Sequence, residues 1–452
     1  MNCLLMIIEG SSNIMKELEG KEGYRKTELG CLPVEWRILK INDIGEVITG
    51  STPDTKIKEY YSQGIKLWAS PGDLGNGKFI KVTKTKLSEK GFSKTRKIPT
   101  NSILVTCIGS TIGKIGMSFK LMSTNQQINS IVCKENHEPN FYYYAINNIS
   151  EQIKKLASTQ AVPILNKTVF SNIKLPSPSL PEQQKIAQIL SCWDKAIEKT
   201  EKLINARSRL KKGLMQKLLT GKKRFKEFIV SSDRYNTEIG KLPVDWNYIE
   251  IKNIAEEVKL RNVESKPLTV LSCTKYKGLV DSLEYFGKQI FSKDTSNYKL
   301  VKRNHFAYAT NHIEEGSIGY QDLYDEALIS PMYTVFETYK EKINDTFLYK
   351  LLKTDTYIHI FKSRMIGSID RRGGLRWKEF SKIKLPVPSI PEQEKIASVL
   401  SVCDREIELL KNKLKSLKNQ KKGLMQKLLT GQIRVSCCLN RDFQDLRINR
   451  IF

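Results

Sequence analysis

Three side-chain amides stand in succession at Asn125-Gln126-Gln127. An Asn or Gln amide donates and accepts at once, the pattern that pairs bidentately with adenine, while the fork of an Arg suits guanine. The polar segment Ser51, Thr52, Lys56 and Lys58 adds hydroxyls and ammonium groups suited to bases and phosphates. A second group follows later in the chain: Asn311 and His312 within Ala-Thr-Asn-His-Ile, and Arg371, Arg372 and Arg376 around a Gly-Gly pair. These are candidate DNA contacts. Plainer roles stay open: the amides could close a turn, and the arginines could anchor phosphates without carrying sequence information.

Catalysis has no comparable set. An adenine methyltransferase needs an Asn/Asp-Pro-Pro-aromatic motif and a glycine-rich cofactor turn, and neither is present. No GxxxxGK[ST] phosphate loop occurs. Glu250-Ile251-Lys252 and Glu257-Val258-Lys259 fit the loose E-x-K pattern of nucleases, a string common by chance. The four histidines, His137, His305, His312 and His359, lack metal-ligand spacing. We therefore expect no catalytic residue, no metal ligand and no cofactor in this chain.

Charge supports a polyanionic partner. Among 452 residues, 75 Lys and Arg oppose 48 Asp and Glu, a net charge of +27 with a pI near 9.5. An anionic membrane is the weaker reading, because no apolar run approaches the roughly 20 residues of a span. The apolar stretch at residues 3–8 meets Glu9 at once and is too short for a signal peptide. Nine scattered cysteines without a CxxC pair argue against a disulfide framework, so a cytoplasmic location is expected.

The elements that would position these residues come in two copies. Residues 174–221 and 384–431 align at a shift of 210, with about 27 of 48 positions identical. The same shift superposes Leu32-Pro33-Val34-Glu35-Trp36 on Leu242-Pro243-Val244-Asp245-Trp246. Between these borders the halves diverge, as one frame holding two different inserts would. Core packing is the expected role of both tryptophans, each ahead of a possible strand at residues 38–44 or 248–254. The inserts read as mixed α/β, with strand-like runs at 65–69, 102–106 and 332–336 and helices at 141–156 and 345–361.

Each repeated tail has the grammar of a long helix. Ser-Leu-Pro-Glu and Ser-Ile-Pro-Glu have capping-box spacing, and Gly221 and Gly431 suit a left-handed C-cap. A 4-3 spacing runs through Ile186, Leu190, Trp193, Ile197, Ile204, Leu214 and Leu218. In the second copy it runs through Ile396, Leu400, Ile407, Leu410, Leu414, Leu417, Leu424 and Leu428. From Ile186 to Leu218 such a helix rises about 50 Å. An apolar stripe of that length must be buried, and the other copy is the obvious partner, most simply in an antiparallel coiled coil.

Two variable inserts, each leading through LPSPSLPEQQKIAQIL or LPVPSIPEQEKIASVL into a helix ending KKGLMQKLLTG, resemble the specificity subunit of a type I restriction–modification enzyme. TGSTPDT at residues 49–55 and STNQQIN at 123–129 add to the likeness. The resemblance implies a mixed α/β (α+β) chain of two sheet-rich target-recognition domains. They would be separated by two long helices in an antiparallel coiled coil with an internal pseudo-two-fold repeat. The boundaries expected are an extension (1–26), a first recognition domain (27–180), a helical spacer (181–226) and a linker (227–236). A second recognition domain (237–390), a second spacer (391–431) and a tail (432–452) complete the chain.

By that resemblance the subunit catalyses nothing and reads a bipartite site on double-stranded DNA. It would dock modification subunits, two of them, carrying the S-adenosylmethionine-dependent methyltransferase, and ATP- and Mg-dependent restriction subunits. Other readings are an orphan specificity subunit, a basic coiled-coil scaffold that binds nucleic acid, and a self-contained enzyme. The missing motifs weigh against the last.

Overall fold

A computed structural model describes residues 22–157, 162–366 and 374–435. The described residues divide into two compact units: one holds those from 22 to 199 together with those from 414 to 435, the other those from Thr200 to Lys413. The long helices Leu180–Leu218 and Ile390–Leu429 are each continuous. Each unit therefore contains the start of one helix and the end of the other.

The repeated frame is the same in both units. A hairpin pairs Tyr24–Thr27 with Gly30–Pro33, and its counterpart pairs Arg234–Thr237 with Gly240–Pro243. Next, Arg37–Lys40 pairs antiparallel with Lys174–Ser177, as Asn247–Glu250 does with Lys384–Val387. The expected longer strands stop here. Asp43 accepts from the Lys40 N–H (2.9 Å) and turns Ile41–Ile44 helical; Ile251–Asn253 forms a 3₁₀ turn at the matching place.

The inserts differ. The first has a five-stranded sheet ordered Gly45–Thr49, Ile128–Cys133, Ile103–Thr106, Ile115–Ser118, Phe79–Ile80. A three-stranded sheet, Ser123–Thr124, Lys66–Ala69, Thr85–Leu87, stands beside it. The second insert has two four-stranded sheets: Ala255–Val258, Tyr333–Thr338, Phe306–Ala309, Ile318–Tyr320, and Gly278–Asp281, Val270–Thr274, Glu326–Ile329, Lys299–Lys302. Both expected insert helices are broken in two, into Pro139–Asn148 with Ser150–Lys155 and Asp345–Leu352 with Asp355–Ile366. In the second, Thr354 ends one helix by donating to the Leu351 carbonyl (2.8 Å) and starts the next.

Within each unit the helix pair is antiparallel. In the first, Asp194 meets Lys421 (2.5 Å) and Glu182 meets Arg434 (2.9 Å), five residues past the end of the second helix, so residue numbers rise along one helix as they fall along the other. In the second, Lys211 meets Asp404, Arg207 meets Glu406 (3.4 Å) and Arg224 meets Glu392 (2.7 Å). Every seam residue named above is buried or partly buried, whereas Leu203, Leu210 and Leu409, off the seam, are exposed.

Trp36 and Trp246 anchor the helix ends, and both are buried. Trp36 lies in one core with Ile186, Leu190, Met425 and Leu428; Trp246 lies in another with Leu218, Leu219, Ile396 and Leu400. Gly431 (φ +70°) passes so close that a Cβ would lie 2.5 Å from Pro33 Cδ; at Gly221 (φ +62°) the Pro243 Cδ is 2.7 Å away. Glu182 and Glu392 do not close capping boxes. Each instead accepts the indole N–H of its tryptophan (3.1 Å) and a bidentate guanidinium.

Candidate nucleic-acid interface

In the first unit two segments remote in sequence meet. Residues 50–58 leave the edge strand Gly45–Thr49 and fold against the turn at 124–127. Ser51 N–H donates to the Thr124 carbonyl (2.8 Å), and Gly50 N–H to that of Ile128 (3.0 Å). Only glycine fits at position 50, since a Cβ there would lie 2.0 Å from the Asn125 carbonyl oxygen. The Thr52 hydroxyl donates to Gln126 Oε1.

The three amides divide by environment. Asn125 is buried; its Nδ2 donates to Gln127 Oε1 (2.8 Å) and its Oδ1 accepts from the Gln127 N–H (3.2 Å). Its hydrogen bonds thus brace the turn. Gln126 is exposed beside Thr52, and Lys56 and Lys58 are exposed on the same segment. Arg96, absent from the sequence reading, holds this segment from a distance. Its NH1 donates to the Thr49 carbonyl (2.7 Å) and its main-chain N–H to Ser51 Oγ (2.9 Å). No local pattern marks it, because the contact spans 45 residues. Trp68 adds an indole N–H to the Ser51 carbonyl (3.0 Å).

In the second unit, Asn311 and His312 follow the strand Phe306–Ala309, and both are exposed. Leu375 N–H donates to the Thr310 carbonyl (2.9 Å), and a Cβ on Gly374 would lie 2.8 Å from Asn311 Oδ1. Asn311 and the segment leading to Arg376 are thereby brought together, with Arg376 at the N-cap of Trp377–Phe380. Arg371 and Arg372 lie outside the described residues. His312, Glu314 and Glu315 bring one donor atom each within 4.8 Å, and a 3.6 Å approach of His312 Nδ1 to Glu315 accounts for part of that grouping.

Several basic residues of the helices are engaged. Arg207, Lys211 and Lys421 pair across the helices, and Lys212 pairs with Asp355 (2.9 Å). The E-x-K strings are ion pairs too, Lys252 with Glu250 and Lys259 with Glu257. Among the described residues no helix is long and apolar enough to cross a membrane.

Known proteins match this architecture. A family model described as "Type I restriction modification DNA specificity domain" matches twice, at residues 33–206 and 243–419. The MjaVIII specificity subunit of Methanocaldococcus jannaschii is 26% identical over 440 residues, covering 93% of this chain and 98% of that one. The MjaIX specificity subunit of the same organism is 31% identical over 253 residues, 54% of this chain and 56% of that one. The crystal structure of a type I S subunit from M. genitalium superposes with a TM-score of 0.56 at 18% identity, over 87% of this chain and 96% of that one, a likeness of fold. With both halves matched by one family model, the chain belongs to the type I restriction–modification DNA specificity family.

Proposed function

We propose that this chain is the non-catalytic sequence-reading subunit of a type I restriction–modification complex. Residues 27–180 and 237–390 each read one half of a bipartite, asymmetric site on double-stranded DNA. The helical segments 181–226 and 391–431 hold the readers apart and so set the spacer between half-sites. The observation that carries this reading is one frame, repeated at a shift of 210, holding two differently built inserts. A two-part asymmetric target needs two readers of that kind.

In the first reader, Ser51, Thr52 and Gln126 face the bases, Lys56 and Lys58 face phosphates, and Asn125 and Gln127 keep the turn in shape. In the second, Asn311, His312 and Arg376 act with Arg371 and Arg372. Two methyltransferase subunits bring S-adenosylmethionine, restriction subunits bring ATP and Mg, and the complex works in the cytoplasm.

Genome-wide adenine-methylation mapping with the gene intact and deleted tests the reading. Loss of one split, asymmetric motif is expected. If every methylated motif survives deletion, the proposal is wrong.

A further inference from the structure

One hairpin tip in the second unit takes no part in the contacts described so far. Val270–Thr274 and Gly278–Asp281 pair as far as Thr274 opposite Gly278, leaving Lys275, Tyr276 and Lys277 at the apex. All three are exposed, and Tyr276, at 86%, is the most exposed large hydrophobic side chain among the described residues. A loose tip would explain such exposure, but this tip is fixed. Gly278 takes φ +70°, and a Cβ there would fall 2.6 Å from the Tyr349 hydroxyl. Thr274 Oγ1 accepts from the Lys277 N–H (3.1 Å) and donates to the Gly278 carbonyl (3.2 Å).

The strongest tie comes from beneath. Lys353 Nζ donates to the carbonyls of Lys275 (2.9 Å) and Gly316 (2.6 Å). Burial pulls the Lys353 pKa down, so the fold carries a desolvated ammonium whose bonds fix the main chain of this tip. Because Gly316 closes the turn that begins at His312, Lys353 ties the tip to the far end of the turn that carries a candidate reading residue of its own unit. Lys275 Nζ lies 5.5 Å from the Tyr276 ring and Lys277 Nζ 5.3 Å from that of Tyr285. Neither lysine has an ion-pair partner among the described residues, and nor does Lys411, which lines a groove with Tyr276, Asp404 and Glu408. Asp404 is itself paired with Lys211 and with Lys350 (2.6 Å).

A rigid tip bearing two unpaired cations around an exposed phenol suits an anionic surface met in one fixed orientation. Lysine and tyrosine both bond phosphate oxygens, and such contacts orient a protein on a duplex without reading its bases. We propose that Lys275, Tyr276 and Lys277 form a phosphate-gripping finger on the DNA backbone beside the second half-site, with Lys353 as its positioning residue. This rests on the DNA-reading function proposed above.

The test is the salt dependence of binding by the full-length chain to a short mixed-sequence duplex. Removing two phosphate contacts in K275A/K277A should lower the log–log salt slope by about 1.8. The wild-type advantage should then shrink by about 12-fold between about 50 and 200 mM salt. K275R/K277R should keep the wild-type slope, and Tyr276→Phe should weaken binding without changing it. Lys353→Met should weaken binding in the wild-type background and do nothing further in K275A/K277A.

An unchanged slope and affinity in K275A/K277A, with the wild type binding, overturns the finger and leaves the DNA reading standing. A wild type that binds no duplex overturns both. If K275A/K277A binds DNA normally but no longer co-purifies with methyltransferase subunits, the tip is a protein contact and the proposal is wrong.

Discussion

Arg224→Met probes how the second unit is closed. The Arg224 side chain is 5% exposed and that of Glu392 1%. Nε and NH2 donate to the two Glu392 oxygens at 2.8 and 2.7 Å, and NH1 reaches Asp245 at 2.7 Å. Methionine fills similar space but leaves a buried carboxylate with only the Trp246 indole N–H, a loss of about 3–5 kcal/mol. For a unit of this size that lowers Tm on the order of 10 °C. The first unit supplies an internal comparison. Its equivalent, Arg434, is 40% exposed, so water can replace the guanidinium, and Arg434→Met should cost only roughly 1–2 kcal/mol. Calorimetry with urea titration reads both variants. Adding Glu392→Gln to Arg224→Met should recover part of the loss, because the stranded charge disappears. Equal, small effects from the two arginines, or no recovery in the double variant, would refute the reasoning.

Other outcomes follow from single positions. Gly221→Ala should cost about 2 kcal/mol, from the left-handed backbone and the crowding by Pro243, whereas Gly213→Ala, with open space around its Cβ, should stabilise by about 0.5–1 kcal/mol in denaturant titrations. Burial pulls the Lys78 amine from 10.5 down to about 8, so between those values the unfolded chain binds the extra proton and stability rises with pH. That rise amounts to about 3 kcal/mol across the window, and unfolding measured from pH 8 upward should be flatter in Lys78→Met. Gln126→Ala should weaken recognition of the first half-site by about 1–3 kcal/mol and leave the second unchanged, as read by methylation mapping.

The repeated frame was legible because its contacts join residues that recur in both copies. The helices, their glycine ends and the tryptophans could all be placed from spacing alone. The arginine at the same place after each helix, Arg224 and Arg434, is also visible as a repeat. Its partner is not, since Glu392 lies 168 residues from one and Glu182 252 from the other. Local pattern failed where a side chain redirected the backbone, as Asp43 does in ending the strand at Lys40. Sheet order in the inserts depends on long-range pairing such as Phe79–Ile80 parallel to Ile115–Ser118, which no periodicity encodes. At the interface, Thr52 and Gln126 were each visible, but their meeting across 74 residues was not.

The division of the chain into units has a consequence for synthesis. The second unit is one uninterrupted stretch, Thr200–Lys413, so all its parts are available as soon as that stretch leaves the ribosome. The first unit is interrupted: its core takes Met425, Leu428 and Leu429 from the end of the second long helix, and Glu182 receives its guanidinium from Arg434. Until those residues emerge, Ile186 and Leu190 lack part of their cover and a carboxylate lacks its counter-ion. The half translated first is thus the half completed last, and a chain released before Arg434 would carry one finished reader and one open one.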